Sequence, residues 1–266
     1  MQGLGNHFMI VDGRKRSFKP STETIKKLCS INEGIGAEQL LVIEPSVMTG
    51  ARARIRIYNF DGNEVEACGN ATRCVAKLLM DTEQIQSLSL EIADRIIPCK
   101  LMGDLVQVDM GNVSFNWQKI PMAEPTGNFY PGYETLAANV GNPHIVIFVP
   151  SLDDISADER ITIGRTIQQH QALIESANVG FAEIVDQNTV KLQVFERPGI
   201  LTLACGSGAC AAVALAVSRG YVHPKNVTVM MPGGNLIIEC DEQYNVKMTG
   251  TADYCYEGMF QEENYA

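Results

Sequence analysis

The sequence contains few positively charged residues and no cluster of them. Its 266 residues include 21 Lys and Arg against 31 Asp and Glu, which gives a formal net charge of −10. Proteins that bind nucleic acid generally present a basic surface, because a negatively charged surface is repelled by phosphates. We therefore expect no nucleic-acid partner.

The sequence also lacks long apolar segments. The first residues, Met1–Asn6, show neither the charged region nor the apolar region of a secretory signal peptide. No apolar run is long enough to cross a bilayer. These two absences predict a cytoplasmic protein that is not bound to a membrane.

Eight cysteines are present, an even number that would also fit a disulfide framework. The chain is long for such a framework and shows no secretory signal, so we expect thiols instead. Four of these cysteines occur in apolar or strand-like patterns and are predicted to be small buried hydrophobic residues. These four are Cys29, Cys99, Cys240 and Cys255.

Two similar motifs, residues 67–74 (ACGNATRC) and 204–210 (ACGSGAC), each predict a turn that leads a cysteine into a helix. The run after the second motif, residues 211–217, is apolar on every face, which is typical of a helix buried on all sides. Asn70 and Ser207 are the predicted N-cap residues. Cys68 and Cys205 would then lie near unpaired backbone N–H groups, which can lower a thiol pKa from about 8.5 to roughly 3.5–7.5. Cys74 and Cys210 are predicted to be packing residues.

The sequence indicates a duplication, because several landmarks recur at a nearly constant distance. Cys205 lies 137 residues after Cys68, and Asn142 lies 136 residues after Asn6. Cys240 and Gly250 likewise follow their counterparts by about the same distance, and strand and helix patterns recur in the same order. A fixed offset of this kind is the signature of two copies of one structural unit.

The predicted fold class is therefore α+β, with two pseudo-symmetric, β-rich and barrel-like domains, each wrapped around a central helix. We expect the active site in the cleft between them. The Pro- and Gly-rich segment 114–132 reads as the crossing from one half to the other. The predicted halves comprise residues 1–113 with 252–266, and residues 114–251.

Two cysteines that face each other across a cleft could invert a carbon that bears an acidic hydrogen. A thiolate would remove the proton from one face, and a thiol would deliver a proton to the other. Three other interpretations use the same residues. Zinc binding by Cys68, Cys74, Cys205 and Cys210 has unsuitable ligand spacing, a Cys68–Cys205 disulfide would be an inactive oxidised state, and a Cys–His hydrolase using His144 leaves the duplicated cysteine unexplained.

These motifs resemble diaminopimelate epimerase, and the resemblance runs from Gly3 to about Gly250. The segments that carry it are 3–6 (GLGN), 34–39 (GIGAEQ), 58–62 (YNFDG), 66–74 (EACGNATRC), 141–144 (GNPH), 177–181 (ANVGF), 196–197 (ER), 204–210 (ACGSGAC) and 232–234 (PGG). The resemblance implies an epimerase that interconverts LL- and meso-diaminopimelate for lysine and peptidoglycan biosynthesis. It implies no cofactor, neither pyridoxal phosphate nor a metal, and a homodimer.

The resemblance also implies roles for individual residues. Cys68 and Cys205 would be the acid and base, with His144 and Glu196 close to the two thiols. A buried Arg197 would bind the distal carboxylate of the substrate through two hydrogen bonds. The substrate-binding residues would be Asn6, Gln39, Asn59, Gly69, Asn70, Asn142, Asn178, Glu196, Arg197, Gly206 and Ser207.

The sequence departs from the family pattern at a few positions. His7 and Glu38 stand where Asp is usual, Ser176 where Arg is expected, and 198–200 (PGI) where Gly-Ala-Gly is usual. Two other hypotheses stay open. One is a proline racemase or hydroxyproline epimerase, which would use the same logic on a substrate that lacks a distal carboxylate. The other, suggested by the altered segments 171–176 and 198–200, is a non-enzymatic relative that acts in binding or assembly.

Overall fold

The computed structural model describes residues 1–65, 68–197 and 199–265. Glu66 and Ala67 of the first cysteine motif, and Pro198 of the departure at 198–200, lie outside the described residues. The chain divides into two compact units. The first unit comprises residues 1–109 and 250–266, and the second comprises residues 110–249.

Within the described residues, the first unit is built from eight strands and two α-helices, which are numbered in the order of the chain. They are β1 (Gln2–Gly3), β2 (Asn6–Asp12), α1 (Thr22–Cys29), β3 (Gln39–Glu44), β4 (Ala53–Asn59), β5 (Glu64–Val65), α2 (Gly69–Glu83), β6 (Ser87–Ile92), β7 (Arg95–Met102) and β8 (Leu105–Asn112). Neighbours along the sheet follow the order β1-β2-β3-β4-β6-β7-β8, and β5 pairs with β4. The pairs β2–β3 and β4–β6 are parallel, and the other pairs are antiparallel.

The second unit repeats this arrangement. Its elements are β9 (Glu134–Asn139), β10 (Pro143–Phe148), α3 (Ala157–Gln168), β11 (Asn178–Asp186), β12 (Thr189–Glu196), β13 (Ile200–Thr202), α4 (Gly206–Ser218), β14 (Val227–Met231), β15 (Gly234–Cys240) and β16 (Asn245–Gly250). The order β9-β10-β11-β12-β14-β15-β16, with β13 beside β12, has parallel pairs at the equivalent places. The predicted duplication is thus confirmed in strand order and pairing.

Each unit folds its sheet around a central helix. Helix α4 packs against β9, which is at one end of the sheet of the second unit, and against β15, which is near the other end. The sheet must therefore curve around the helix. Helix α2 similarly contacts β1 and β7. The apolar sequence of α4 leaves residues 208–216 buried, as predicted from its lack of a polar face. The predicted β-rich units around central helices are confirmed.

The outer helices begin at serine caps. Ser21 accepts the Thr24 amide at the start of α1. At α3, Ser156 and Glu159 form a capping box, in which each side chain bonds the other's backbone N–H. Among the residues described, no helix combines the length and the apolar character needed to span a membrane.

Strand β9 and the short strands β1, β5 and β13 were not predicted. β9 has the sequence ETLAAN, which has few of the β-branched and aromatic residues that favour strands. It forms because it pairs with β10 along its whole length. β13 has only three residues, which is too short for an alternating pattern to be seen.

The packing of α3 generates a first prediction. A Cβ atom on Gly164 would lie 2.5 Å from the Cδ1 atom of Phe195, a fully buried ring. Overpacking of this kind costs about 1–3 kcal/mol, and the better helix propensity of Ala offsets about 1 kcal/mol of it. We expect Gly164→Ala to lower the free energy of unfolding by about 1 kcal/mol in urea titrations.

Gly127→Ala is the matched control, because its Cβ would meet no described atom closer than 3.9 Å. We expect Gly164→Ala to lower the free energy of unfolding by a smaller amount in a Phe195→Leu background, because the ring that the new Cβ would meet is then absent. Equal costs of Gly164→Ala with Phe195 and with Leu at that position would contradict this account.

Candidate active site

Cys68 and Cys205 occupy equivalent positions, each as the N-cap residue of a central helix. Both have extended backbone, with φ/ψ of −152°/105° at Cys68 and −136°/107° at Cys205. The prediction that Asn70 and Ser207 are the N-caps was wrong, since the helices already begin at Gly69 and Gly206. Asn70 and Ser207 are instead the second helical residues, among the first amides that have no partner within an α-helix.

In the first unit, amide side chains from β2, β3, β4 and α2 form two hydrogen-bonded groups. The Asn70 Nδ2 atom donates to the Asn6 Oδ1 atom at 2.7 Å, and the Asn6 amide donates to the Glu38 carboxylate. The Gln39 Nε2 atom donates to the Asn59 Oδ1 atom at 2.8 Å. These contacts bring together Asn6 with Asn70, and Gln39 with Asn59, all predicted site residues.

Two buried oxygen atoms in these groups have no hydrogen-bond partner among the described residues. They are the Gln39 Oε1 atom and the Asn70 Oδ1 atom. Buried acceptors are normally satisfied, so each is available to a donor that the chain itself does not supply. Both could accept a hydrogen bond from an ammonium group.

In the second unit, the fully buried His144 links the start of β10 to the start of α4. Its Nε2 atom lies 3.0 Å from the Asn142 Oδ1 atom and 3.0 Å from the Ser207 Oγ atom. Burial, and to a smaller extent the charge of Arg197, lower the pKa of His144 to about 3. The imidazole is therefore neutral at physiological pH.

Cys205 is buried, with 6% of its surface exposed. Burial and the negative charge of Glu196 raise its pKa well above the ordinary value. The Ser207 hydroxyl at 3.6 Å and the Gly208 amide at 3.4 Å act in the opposite direction. The helix amide thus lowers the pKa of this thiol, as expected, but desolvation outweighs it and the net pKa of Cys205 is raised.

The residues at the end of β12 are held by short contacts within the second unit. The Thr202 Oγ1 atom donates to the Glu196 Oε1 atom at 2.8 Å, and the Arg197 amide donates to the Asn178 Oδ1 atom at 3.0 Å. Arg197 is exposed, so the prediction of a buried guanidinium was wrong. Arg197 lies in the turn after β12, one residue beyond the last residue of β12 that pairs with β13.

All eight cysteines are thiols. Cys29, Cys99 and Cys240 are buried as predicted, and burial raises the pKa of their thiols to about 11, 12 and 11. Cys74 and Cys210 are fully buried packing residues. The prediction that Cys255 is buried was wrong, because it follows the last strand in a segment without regular structure and is exposed.

Sequence reasoning missed three groups that hold the predicted site residues. Thr202 positions Glu196 from the unpredicted strand β13, and Gly208 supplies its backbone amide to Cys205. Glu38 was noted only as a departure from the family pattern, yet it accepts the Asn6 amide. Its place directly before Gln39 was the one available signal.

Comparisons with solved structures identify the fold. The chain is similar to a probable proline racemase from Agrobacterium radiobacter K84, with a TM-score of 0.68, 13% identity, and coverage of 94% of this chain and 88% of that one. It is also similar to a hydroxyproline epimerase from Agrobacterium vitis, with a TM-score of 0.66, 15% identity, and coverage of 94% and 86%. At this identity the likeness describes the fold alone.

Sequence comparisons give closer relatives. Residues 1–116 and 136–255 match the family model described as diaminopimelate epimerase. The diaminopimelate epimerase of Gluconobacter oxydans strain 621H is 39% identical over 259 residues, which covers 97% of this chain and 96% of the relative. The diaminopimelate epimerase of Erythrobacter litoralis strain HTCC2594 is 39% identical over 273 residues, which covers 100% and 97%. The chain therefore belongs to the diaminopimelate epimerase family.

Proposed function

We propose that this chain interconverts LL- and meso-diaminopimelate, for lysine and peptidoglycan biosynthesis, with Cys68 and Cys205 as the acid and base. The observation that carries the proposal is the repeated placement of a cysteine at the N-cap of each central helix. Membership of the family, with relatives named diaminopimelate epimerase at 39% identity, supports the choice of substrate. A cytoplasmic location stays a prediction from the sequence composition, and a homodimer stays a prediction from the resemblance.

In the proposed reaction, one thiolate takes the α-hydrogen as a proton and leaves the electron pair on the α-carbon. The other thiol gives its proton to the opposite face of that carbon, which inverts it. One cysteine ends as a thiol and the other as a thiolate, so the reverse reaction uses the same two groups with their roles exchanged. The proposal requires both sulfur atoms to reach one α-carbon in the substrate complex.

The first amides of α2 and α4 would bind the carboxylate of the reacting end and the negative charge that develops beside it. Gly69, Asn70, Gly206 and Ser207 supply these amides, which have no acceptor within their helices. Hydrogen bonds to this charge strengthen as the proton leaves the α-carbon, so they favour the transition state over the substrate.

The amide side chains would hold the substrate without adding charge, since each offers both a donor and an acceptor. The unpartnered oxygens of Gln39 and Asn70 could accept hydrogen bonds from a substrate ammonium group. Arg197, whose side chain is exposed, could bind the distal carboxylate through two parallel hydrogen bonds. Asn59, Asn142 and Asn178 would complete the contacts.

Uptake of solvent deuterium tests the activity and the substrate together. In reducing D₂O buffer, we expect LL- and meso-diaminopimelate to gain deuterium at the α-carbon, as measured by proton NMR. Free proline, which lacks a distal carboxylate, should gain none. Exchange of proline alone would indicate the racemase alternative, and no exchange of any of these compounds would favour the non-enzymatic one.

Replacement of either cysteine tests the two-thiol mechanism. We expect Cys68→Ser and Cys205→Ser each to slow epimerisation by about a hundredfold to ten-thousandfold, because a hydroxyl is a much poorer acid and base near neutral pH. The exposed Cys255→Ser variant is the matched control and should keep wild-type activity. Full activity in either of the first two variants would exclude the mechanism.

The neutral state of His144 gives a prediction for acid stability. The pKa of His144 is about 3 in the folded chain, against about 6.5 for an unfolded histidine. Between these values only the unfolded chain binds the proton, so this stabilisation is complete above pH 6.5 and is lost as the pH falls. We expect the free energy of unfolding, measured in urea titrations, to fall between pH 7 and pH 4.5 by about 2 kcal/mol less in His144→Gln than in wild type.

The exposed His223→Gln variant is the control, and it should retain the wild-type loss of stability over the same pH range. Equal losses in wild type and His144→Gln would mean that the buried imidazole is protonated in the folded chain.

A further inference from the structure

Three polar side chains of the second unit form a short chain that ends at the Cys205 sulfur. The His144 Nε2 atom is 3.0 Å from the Ser207 Oγ atom, which is 3.6 Å from the Cys205 Sγ atom. The direction of donation in each of these contacts decides whether they favour the thiol or the thiolate form of Cys205.

The contacts of His144 fix these directions. Its Nε2 atom also lies 3.0 Å from the Asn142 Oδ1 atom, which can only accept, so Nε2 must carry the ring hydrogen. The other tautomer would place a hydrogen on the buried Nδ1 atom, which has no partner among the described residues. The Ser207 oxygen therefore accepts from the imidazole, sharing the Nε2 hydrogen with the Asn142 oxygen, and its own hydrogen stays available for the Cys205 sulfur.

With the serine hydrogen in this direction, the Cys205 sulfur accepts two hydrogen bonds, one from the Ser207 hydroxyl and one from the Gly208 amide. Both favour a negatively charged sulfur. Glu196 acts against them, because its charge and its hydrogen bond with the thiol both favour the protonated form. Arg197 is the positive charge that acts on His144.

The first unit carries different side chains at the equivalent positions. In the parallel pairs β2–β3 and β10–β11, Phe8 lies opposite Gln39 and His144 lies opposite Asn178, so Phe8 is the counterpart of His144. The counterpart of Ser207 is Asn70, whose Nδ2 atom donates to Asn6. The two cysteines therefore differ in the groups that follow them on their helices.

We propose that the Ser207 hydroxyl is the side-chain donor that stabilises the Cys205 thiolate, and that His144 acts as a positioning residue through Ser207. No proton passes along the chain of contacts. Cys205 exchanges its proton with the substrate carbon, while Ser207 and His144 keep theirs. The proposal rests on the proposed acid and base role of Cys205, and it assigns the serine hydroxyl a role beyond its backbone amide.

Alkylation by iodoacetamide at one pH tests the proposal without substrate, because only the thiolate reacts. Rates at Cys205 and at the exposed Cys255 are followed by mass spectrometry of their peptides. We expect Ser207→Ala to slow alkylation of Cys205 about three- to tenfold, since the thiolate fraction falls more than the nucleophilicity of the remaining thiolate rises. Ser207→Thr should restore the rate to within about twofold, and Cys255 should not change.

Loss of a hydrogen-bond donor and easier access to the sulfur would change the alkylation rate of Ser207→Ala in opposite directions. If the serine only restricted access to the buried sulfur, the smaller alanine would open a path and alkylation would become faster. An unchanged or faster rate in Ser207→Ala, or a slow rate in Ser207→Thr with an unaltered circular dichroism spectrum, would overturn the proposal.

His144→Phe places at this position the residue found in the first unit. We expect it to slow alkylation of Cys205 in the wild-type background and to have no further effect in the Ser207→Ala background. Equal effects in both backgrounds would show that His144 does not act through Ser207. If the wild-type protein does not turn over diaminopimelate but the variants change the alkylation rate of Cys205 as expected, the result would contradict only the proposed function.

Discussion

Burial of most of the two central helices, including residues 69–76 of α2 and 208–216 of α4, is the constraint on which the candidate site depends. Helix α4 has no polar face, so its sheet must curve around it, and residues 208–216 are withdrawn from water. The N-terminus of such a helix carries unpaired amides into the interior, where they need acceptors. At the N-cap of α4, Cys205 is desolvated and close to donors at the same time, and these two effects change its pKa in opposite directions.

For Cys205 the structure shows which effect is larger. Its pKa is raised in spite of the Ser207 and Gly208 donors, because burial and Glu196 together outweigh them. In the described state this residue is thus a thiol. The donors matter for the base role that we propose for it, since without them the thiolate would be buried with little compensation for its lost hydration.

Much of the fold could be predicted because it follows from local patterns. The apolar run of α4 and the capping box at Ser156 each depend on neighbouring residues alone, and the repeat of the two cysteine motifs can be counted directly along the sequence. The errors arose where distant contacts decide. β9 forms through its partner β10, Thr202 reaches Glu196 from a three-residue strand, and the pKa of Cys205 depends on burial, which a motif does not encode.

The duplication explains how one scaffold can hold two cysteines in similar backbone positions, and the differences between its halves determine their chemistry. A base and an acid that exchange roles need similar geometry, which the shared N-cap position provides. They also need different proton affinities before the substrate binds, or both would be thiols or both thiolates. The substitution of His144 for Phe8, and of Ser207 for Asn70, changes the groups around one helix start without changing the strand order. In the proposed mechanism, His144 and Ser207 thus adjust the stability of the Cys205 thiolate alone, on a backbone arrangement that both cysteines share.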